Sequence, residues 1–283
     1  MTPENPLGYA GRKLADRAAT AACAAAVAIA LLPLLAILAY VVQRGLGGLS
    51  LAFFTHLPRA PGEGDGGLAN AILGTLQLVL LASAMGIPVG VAAGLYLAEY
   101  RTTVLARLVR FCADVLAGVP SILVGVVVYA TLVVRMKHFS ALAGSAALAV
   151  LMLPLVARTT DELARTVPDS LREAALALGA PRWKIAIQVV LRTAAPGIRA
   201  GTMLAVARVC GETAPLLFTA FDNDFWTQTP LEPTASMQVR IFFYTLSSSD
   251  DRHAQAWSAA LVLLLLVVAL NLAARGLWRR KPA

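Results

Sequence analysis

Residues 66–98 read GGLANAILGTLQLVLLASAMGIPVGVAAGLYLA, without one Asp, Glu, Lys or Arg. About 20 apolar residues in a helix rising 1.5 Å each already span the roughly 30 Å hydrocarbon core of a bilayer, so this run predicts a membrane-crossing helix. Gly86, Gly90 and Gly94 recur every fourth residue and form a ridge where another helix backbone can approach closely, since lipid offers no hydrophobic drive for helix association. Two readings stand for that ridge: packing within the chain, or an interface with another subunit. Pro88, in the same helix, predicts a kink.

Working outward, charge-free runs of spanning length also cover 18–43, 115–134, 138–157 and 253–274. A further run, 197–220, is interrupted by Arg208 and Glu212 but otherwise has the composition of a helix in lipid, and is counted as the fifth of six spans. The expected fold class is therefore all-α, a polytopic integral membrane protein with six transmembrane helices. The first run follows Arg12, Lys13 and Arg17 as a signal peptide would, yet its apolar core far exceeds the 7–15 residues typical of one, so an uncleaved span is expected.

Composition agrees. Of 283 residues, 58% are hydrophobic and 14% charged, against about 25% charged in soluble domains, and mean hydropathy is +0.72. The net charge of +8 does not indicate nucleic acid, because Lys and Arg are scattered between apolar runs instead of gathering on one soluble face. Membrane lipid explains both features. Cys23, Cys112 and Cys210 sit among apolar neighbours without metal-ligand spacing and are expected as buried hydrophobes. His56, His138 and His253 are scattered likewise, so neither a metal nor a cofactor is expected.

Positive loops stay cytoplasmic. With a cytoplasmic N-terminus, sixteen Lys and Arg fall inside (three in the tail 1–17, three after the second span, six in 158–196, four at the C-terminus) and six outside. Both termini are expected in the cytoplasm. On the outer side, PRAPGEGDGG (58–67) reads as a flexible loop. Segment 221–252 instead holds Phe225, Trp226 and the apolar MQVRIFFYTL (237–246), too short to span and suited to lie at the interface or against a partner.

The inside segment 158–196 is the most specific. Ser170 and Glu173 form a capping-box pattern behind Pro168, which predicts a helix from about Leu171. Leu171, Ala174, Ala175 and Leu178 make one apolar stripe, Gly179 supplies a left-handed cap, and Pro181 opens a second helix. Such a short helix, with small side chains and little area for lipid anchoring, is shaped to dock against protein. The other reading is a helix resting on headgroups.

Arg208 and Glu212 are costly at membrane depth, and four-residue spacing puts them on one helical face. Either they form a structural ion pair, or the guanidinium meets a passing anion bidentately while the carboxylate competes and keeps binding weak. Glu99 and Asp114, at predicted membrane edges, are expected to be solvated or capping, with a role in the pathway as the lesser reading.

The run EAALALG (173–179) is similar to the EAA loop of type I importer permeases in the ABC transporter superfamily. That pattern goes on with Ile, any residue, Leu and Pro, where this chain has Val189, Val190, Leu191 and Arg192, so the missing Pro predicts a smoother exit from the loop. GVAAGLYLAEY (90–100), GVPSILVG (118–125), REAALALGAPRWK (172–184) and ARVCGETAPLLFTA (207–220) narrow the resemblance to the phosphate permeases of that superfamily, over nearly the whole chain.

The resemblance implies the type I ABC importer permease fold, organised as a tail 1–17, a first helix and outer loop 18–67, a permease domain 68–278 with coupling loop 158–196, and a tail 279–283. It implies an ATP-driven phosphate importer of the bacterial inner membrane, with this chain as half of the translocation pathway. Its partners would be a second permease (PstC-like), two copies of an ATPase (PstB-like) and an external phosphate-binding protein (PstS-like). Arg208 and Glu212 would line the substrate pathway, and Glu173, Ala174, Ala175, Leu178 and Gly179 would couple to the ATPase. No GxxxxGK followed by Ser or Thr occurs, so ATP hydrolysis belongs on another chain and no catalytic residue is expected here. A permease for sulfate or molybdate and an ion-driven secondary transporter remain alternatives. A membrane-embedded enzyme would need a titratable cluster that the sequence does not offer.

Overall fold

The computed structural model describes residues 6–278 except 61, 64 and 65. Arg279, Arg280 and Lys281, used in the charge count, and the rest of the tail 279–283 lie outside the described residues, as does 1–5. Among the described residues the elements are helices: α1 Pro6–Leu46, α2 Leu51–Thr55, α3 Ala69–Glu99, α4 Val104–Gly118, α5 Ser121–Val128, α6 Val134–Met136, α7 Ala141–Arg165, α8 Asp169–Ala177, α9 Arg182–Ile185, α10 Leu191–Val209, α11 Ala214–Thr219, α12 Met237–Thr245 and α13 Asp250–Trp278. Single π-helical stretches, Tyr129–Val133 and Ala186–Val190, join α5 to α6 and α9 to α10.

Four helices, in α1, α3, α7 and α13, are long and apolar enough to cross a membrane, and a bent fifth is made by α4 with the helix Ser121–Met136. The expectation of six spans is corrected at two places. The span predicted over 115–134 is broken at Val119–Pro120, where the second arm bends 106° away from the line of the first. Proline disfavours helical backbone in the residue before it and has no N–H to give, and Val119 accordingly turns to φ −73°, ψ 130°. The span predicted over 197–220 is likewise not one helix: α10 ends at Val209 and α11 starts at Ala214.

The centre of the bundle is the pair α3 and α7. A Cβ added at Gly86 would meet the Ala149 carbonyl oxygen at 3.2 Å, one at Gly90 the Val156 Cβ at 2.8 Å, and one at Gly94 the Ala157 carbonyl oxygen and Thr160 Cβ at 2.5 Å. The glycine ridge therefore serves packing within the chain. It lets Leu78, Ala82, Met152 and Val156 close a core with Val209 and Leu216. The helix α3 passes through Pro88 without a break. Ser140 caps α7 by accepting from the Ala143 N–H at 3.1 Å, and α7 runs on to Arg165, so the first residues of the expected loop 158–196 are helical.

Among the described side chains, those of helix α1 that pack against the rest lie near its end. Gly45 lies close against Leu261, Ser258 donates to the Gly45 carbonyl at 2.9 Å, and Tyr40 meets Trp257 edge-on at 5.0 Å, all on α13. The apolar body of α1 is left to lipid or a partner chain. Cys210 is buried, but Cys23 and Cys112 sit on outward helix faces, so the buried reading holds for Cys210 alone.

Residues 237–246 depart from expectation as well. They lie only partly on the surface: Met237, Gln238, Val239, Arg240 and Tyr244 of α12 are buried while Phe242 and Leu246 are exposed, the Met237 N–H donates to Thr75 on α3 at 2.9 Å, and Gln238 donates to the Cys210 carbonyl. Polar groups inside a membrane bundle need such partners, and a short helix supplies them when it folds back between longer ones. Arg240, 5% exposed, pairs with Asp222 at 2.9 Å and Asp224 at 2.6 Å and donates to the Asn223 carbonyl. That clasp pins the loop carrying Phe225 and Trp226, which stay exposed. Burial raises the Asp222 carboxyl above its ordinary range against the pull of the Arg240 charge.

Candidate functional site

The break at Val119–Pro120 opens a cavity of about 150 Å³, walled by the end of α4 (Asp114, Ala117), the start of α5 (Ser121), the middle of α7 (Pro154, Arg158) and Arg208 of α10. Two guanidiniums thus reach one cavity from different helices. Arg158 donates to Asp114 at 2.8 Å and stands 4.0 Å from Glu162, with its side chain 59% exposed. Arg208 is 56% exposed and its Nε is 3.9 Å from Glu212, too long for a hydrogen bond.

This differs from the sequence reading in one respect. Glu212 is not a turn further along the same helix; it lies in the non-helical link between α10 and α11 and is mostly buried, while Arg208 occupies the last turn of α10. A cation in a helix's last turn is favoured by the helix dipole. The α5 N-terminus facing the cavity has no side-chain cap, and unpaired N–H groups at such an end favour an anion. Two arginines and a positive helix end suit an oxyanion, and the carboxylates of Asp114 and Glu212 keep the site from being purely attractive.

Sequence reasoning missed Arg158, counted as a loop charge, and gave Asp114 a place in the pathway only as the lesser reading. A signal for both existed. Asp114 and Arg110 lie four apart on α4, Arg158 and Asp161 three apart on α7, and the structure pairs them crosswise: Arg110 with Asp161 at 3.2 Å, Asp114 with Arg158 at 2.8 Å. Asp161 also takes both arms of Arg165 at 2.7 Å.

The EAA-like residues are on a separate element, at the end of the bundle reached by the last turn of α3. Helix α8 starts at Asp169 with Pro168 as its N-cap and no side-chain cap, two residues before the predicted start, so Ser170 is inside the helix instead of capping it. Proline's preset φ ends the preceding strand of chain at that point, and Asp169 complements the helix dipole. Gly179 adopts φ +79° and its N–H reaches the Leu176 carbonyl at 2.9 Å, which is the predicted left-handed cap. Within the predicted stripe only Ala175 packs against the chain; Leu171, Ala174 and Leu178 are exposed, Leu178 at 88%. Beyond Pro181, α9 runs through the π-helical stretch into α10 without a break at Arg192, the smoother exit that the missing Pro predicts. Glu99 is corrected too: it is 14% exposed and paired with Arg172 at 3.1 Å.

Residues 86–281 match the family described as binding-protein-dependent transport system inner membrane component. The chain is 46% identical over 241 residues to the phosphate transport system permease protein PstA of Yersinia pestis, covering 85% of this chain and 82% of that one. It is 44% identical to the protein of the same name from Xylella fastidiosa (strain Temecula1), over 96% and 95% of the two chains. Among solved structures, the inward-facing MetNI methionine ABC transporter has a chain with TM-score 0.60 at 19% identity, covering 74% of this chain and 95% of that chain. A bacterial ABC transporter that imports the acidic polysaccharide alginate gives 0.55 at 16%, over 76% and 79%. The structures show a shared fold and the sequences show descent: this chain belongs to the family of binding-protein-dependent transport system inner membrane components, among the PstA permeases, as a multi-pass inner membrane transport subunit.

Proposed function

We propose that this chain is the permease subunit of an ATP-driven, binding-protein-dependent phosphate importer, and that phosphate passes the cavity at the α4–α5 break on Arg208 and Arg158. The observation that carries the site is the convergence of those two guanidiniums on one cavity beside an uncapped helix start; the curated relatives' name supplies the anion. Guanidinium forks match phosphate oxygens bidentately. Arg208, held only loosely by Glu212, receives the anion first. Arg158 follows by exchanging Asp114 for it. Each carboxylate then takes its arginine back as the anion leaves, so binding stays weak enough for transit.

The half-open cavity is closed by a second permease subunit. Glu173, Ala174, Ala175, Leu178 and Gly179 present the exposed face of α8 to one of two ATPase subunits, where small side chains allow close approach and Leu178 inserts. An external phosphate-binding protein delivers substrate at the α12 end. Both termini and α8 lie in the cytoplasm, a placement that the Lys and Arg distribution supports.

The test is uptake of labelled phosphate into vesicles holding this chain with its partner subunits, with and without internal ATP and with unlabelled sulfate as competitor. ATP-dependent uptake that sulfate leaves untouched, abolished by Arg208→Gln in a complex that still assembles, is the expected result. Uptake without ATP sinks the ATPase coupling, and equal competition by sulfate sinks the phosphate assignment. Loss of assembly in Arg208→Gln makes the pair structural.

A further inference from the structure

The docking helix α8 is poorly attached to its own chain. None of its residues is fully buried, and among its apolar side chains only Ala175 packs against the neighbouring core of Leu95, Ala164, Val167 and Ile185. One charged side chain compensates. Arg172, 12% exposed, donates from Nε to Glu99 at 3.1 Å, from Nη1 to Asp169 at 2.9 Å and to the Val167 carbonyl, and from Nη2 to the Ala164 carbonyl at 2.8 Å. These partners belong to the last residue of α3, the first of α8, the connector and the last turn of α7.

The placement of Glu99 breaks a local rule. It ends α3, where the helix dipole disfavours a carboxylate, and it is 14% exposed, where an unpaired one is costly. A residue kept against local preference points to a role. Arg172 answers both penalties while satisfying a carbonyl in the last turn of α7. The two helices it ties are those joined through Gly86, Gly90 and Gly94, and α7 also carries Arg158 into the cavity.

We propose that Arg172 and Glu99 form the latch that makes α8 move as one body with α3 and α7, so that displacement of α8 by the ATPase is passed to the cavity. This rests on the reading of α8 as the ATPase contact given above. Arg172 is a positioning residue: it touches neither substrate nor nucleotide. Without the latch, α8 follows the ATPase while the α3–α7 pair stays behind, and ATP is hydrolysed without opening the cavity.

The experiment uses the full complex in lipid, with spin labels at Ala117 and Leu155 across the cavity and a second label pair from Leu176 to the ATPase subunit, in a background lacking the native cysteines. Addition of ATP is expected to change the cavity distance in the parent protein and to leave it unchanged in Arg172→Gln, with the ATPase still bound and ATP turnover within about twofold of the parent. Glu99→Gln, which removes only the ion pair, is expected to lose part of the response, and Arg172→Lys, which keeps the charge without the fork, to recover little of it. A full cavity response in Arg172→Gln overturns the latch. So does loss of the ATPase from that variant, which would make Arg172 a residue of assembly alone. Neither readout uses phosphate, so a parent complex that couples ATP to the cavity but transports no phosphate counts against the phosphate reading while leaving the latch standing.

Discussion

Substituting the three glycines of α3 one at a time by alanine grades the same perturbation along a single interface. Carbon atoms in ordinary contact stand about 3.5–4.0 Å apart. A methyl at Gly86 meets the Ala149 carbonyl oxygen at 3.2 Å and needs the helices to part by only a few tenths of an ångström. At Gly90 it meets Val156 Cβ and Cγ1 at 2.8 Å, and the Cβ cannot swing aside because it is fixed to the backbone. At Gly94 it meets a carbonyl oxygen and Thr160 Cβ at 2.5 Å, so α3 and α7 must separate by about 1 Å there. Overpacking of a tight core costs about 1–3 kcal/mol, and alanine regains about 1 kcal/mol over glycine as a helix former. The expected changes in unfolding free energy are therefore about zero for Gly86→Ala, about 1 kcal/mol of destabilisation for Gly90→Ala and about 2 kcal/mol for Gly94→Ala. Gly118→Ala, where an added methyl meets nothing within 4 Å, serves as the control. Steric-trapping measurements of unfolding in bicelles resolve differences of this size. If Gly94→Ala is as stable as Gly86→Ala, the ridge does not carry the α3–α7 contact and the packing argument fails.

Other outcomes test the site. Arg158→Gln removes charge-assisted hydrogen bonds worth about 1.5–3 kcal/mol, so the phosphate concentration for half-maximal uptake should rise roughly ten- to hundredfold; an unchanged value would remove Arg158 from the pathway. Asp114→Asn frees Arg158 from its 2.8 Å partner and should tighten apparent affinity while slowing maximal uptake, and a rate that rises with affinity would contradict the exchange between carboxylate and anion. Leu178→Asp, at a side chain 88% exposed, should leave the chain's own stability within about 0.5 kcal/mol yet prevent the ATPase from copurifying. Arg240→Met leaves Asp222 buried without its partner and should cost about 3–5 kcal/mol, seen as rapid proteolysis of 221–236, whereas adding Asp222→Asn should restore most of the protection.

Much of the molecule was legible in one dimension because a bilayer imposes a simple demand. A segment in lipid must be apolar and must satisfy its own backbone, so uninterrupted apolar length reports a helix directly. Runs 18–43, 66–98, 138–157 and 253–274 therefore became α1, α3, α7 and α13. The four-residue glycine period and the φ of Gly179 were readable for a similar reason, since each depends on geometry within a few residues. Hydropathy was blind to the break at Val119–Pro120, where every residue is apolar and the proline acts through backbone sterics. It also left open that part of 237–246 turns inward: Met237, Val239 and Tyr244 are buried within the chain, while Phe242 and Leu246 stay exposed.

The site divides along the same line. The charge of Arg208 inside an apolar run marked it from sequence alone, because an ion in lipid is conspicuous wherever the chain goes next. Arg158 and Asp114 could not be marked that way: 44 residues apart and each at a membrane edge, they look like ordinary flanking charges until α4 folds back beside α7 and the broken helix opens a cavity between them. The same holds for Glu99 and Arg172, 73 residues apart. What sequence determined here was which segments enter the membrane and which local signals cap or kink them. What tertiary structure decided was which charges meet, since a Coulombic contact depends on distance in space and carries no period along the chain.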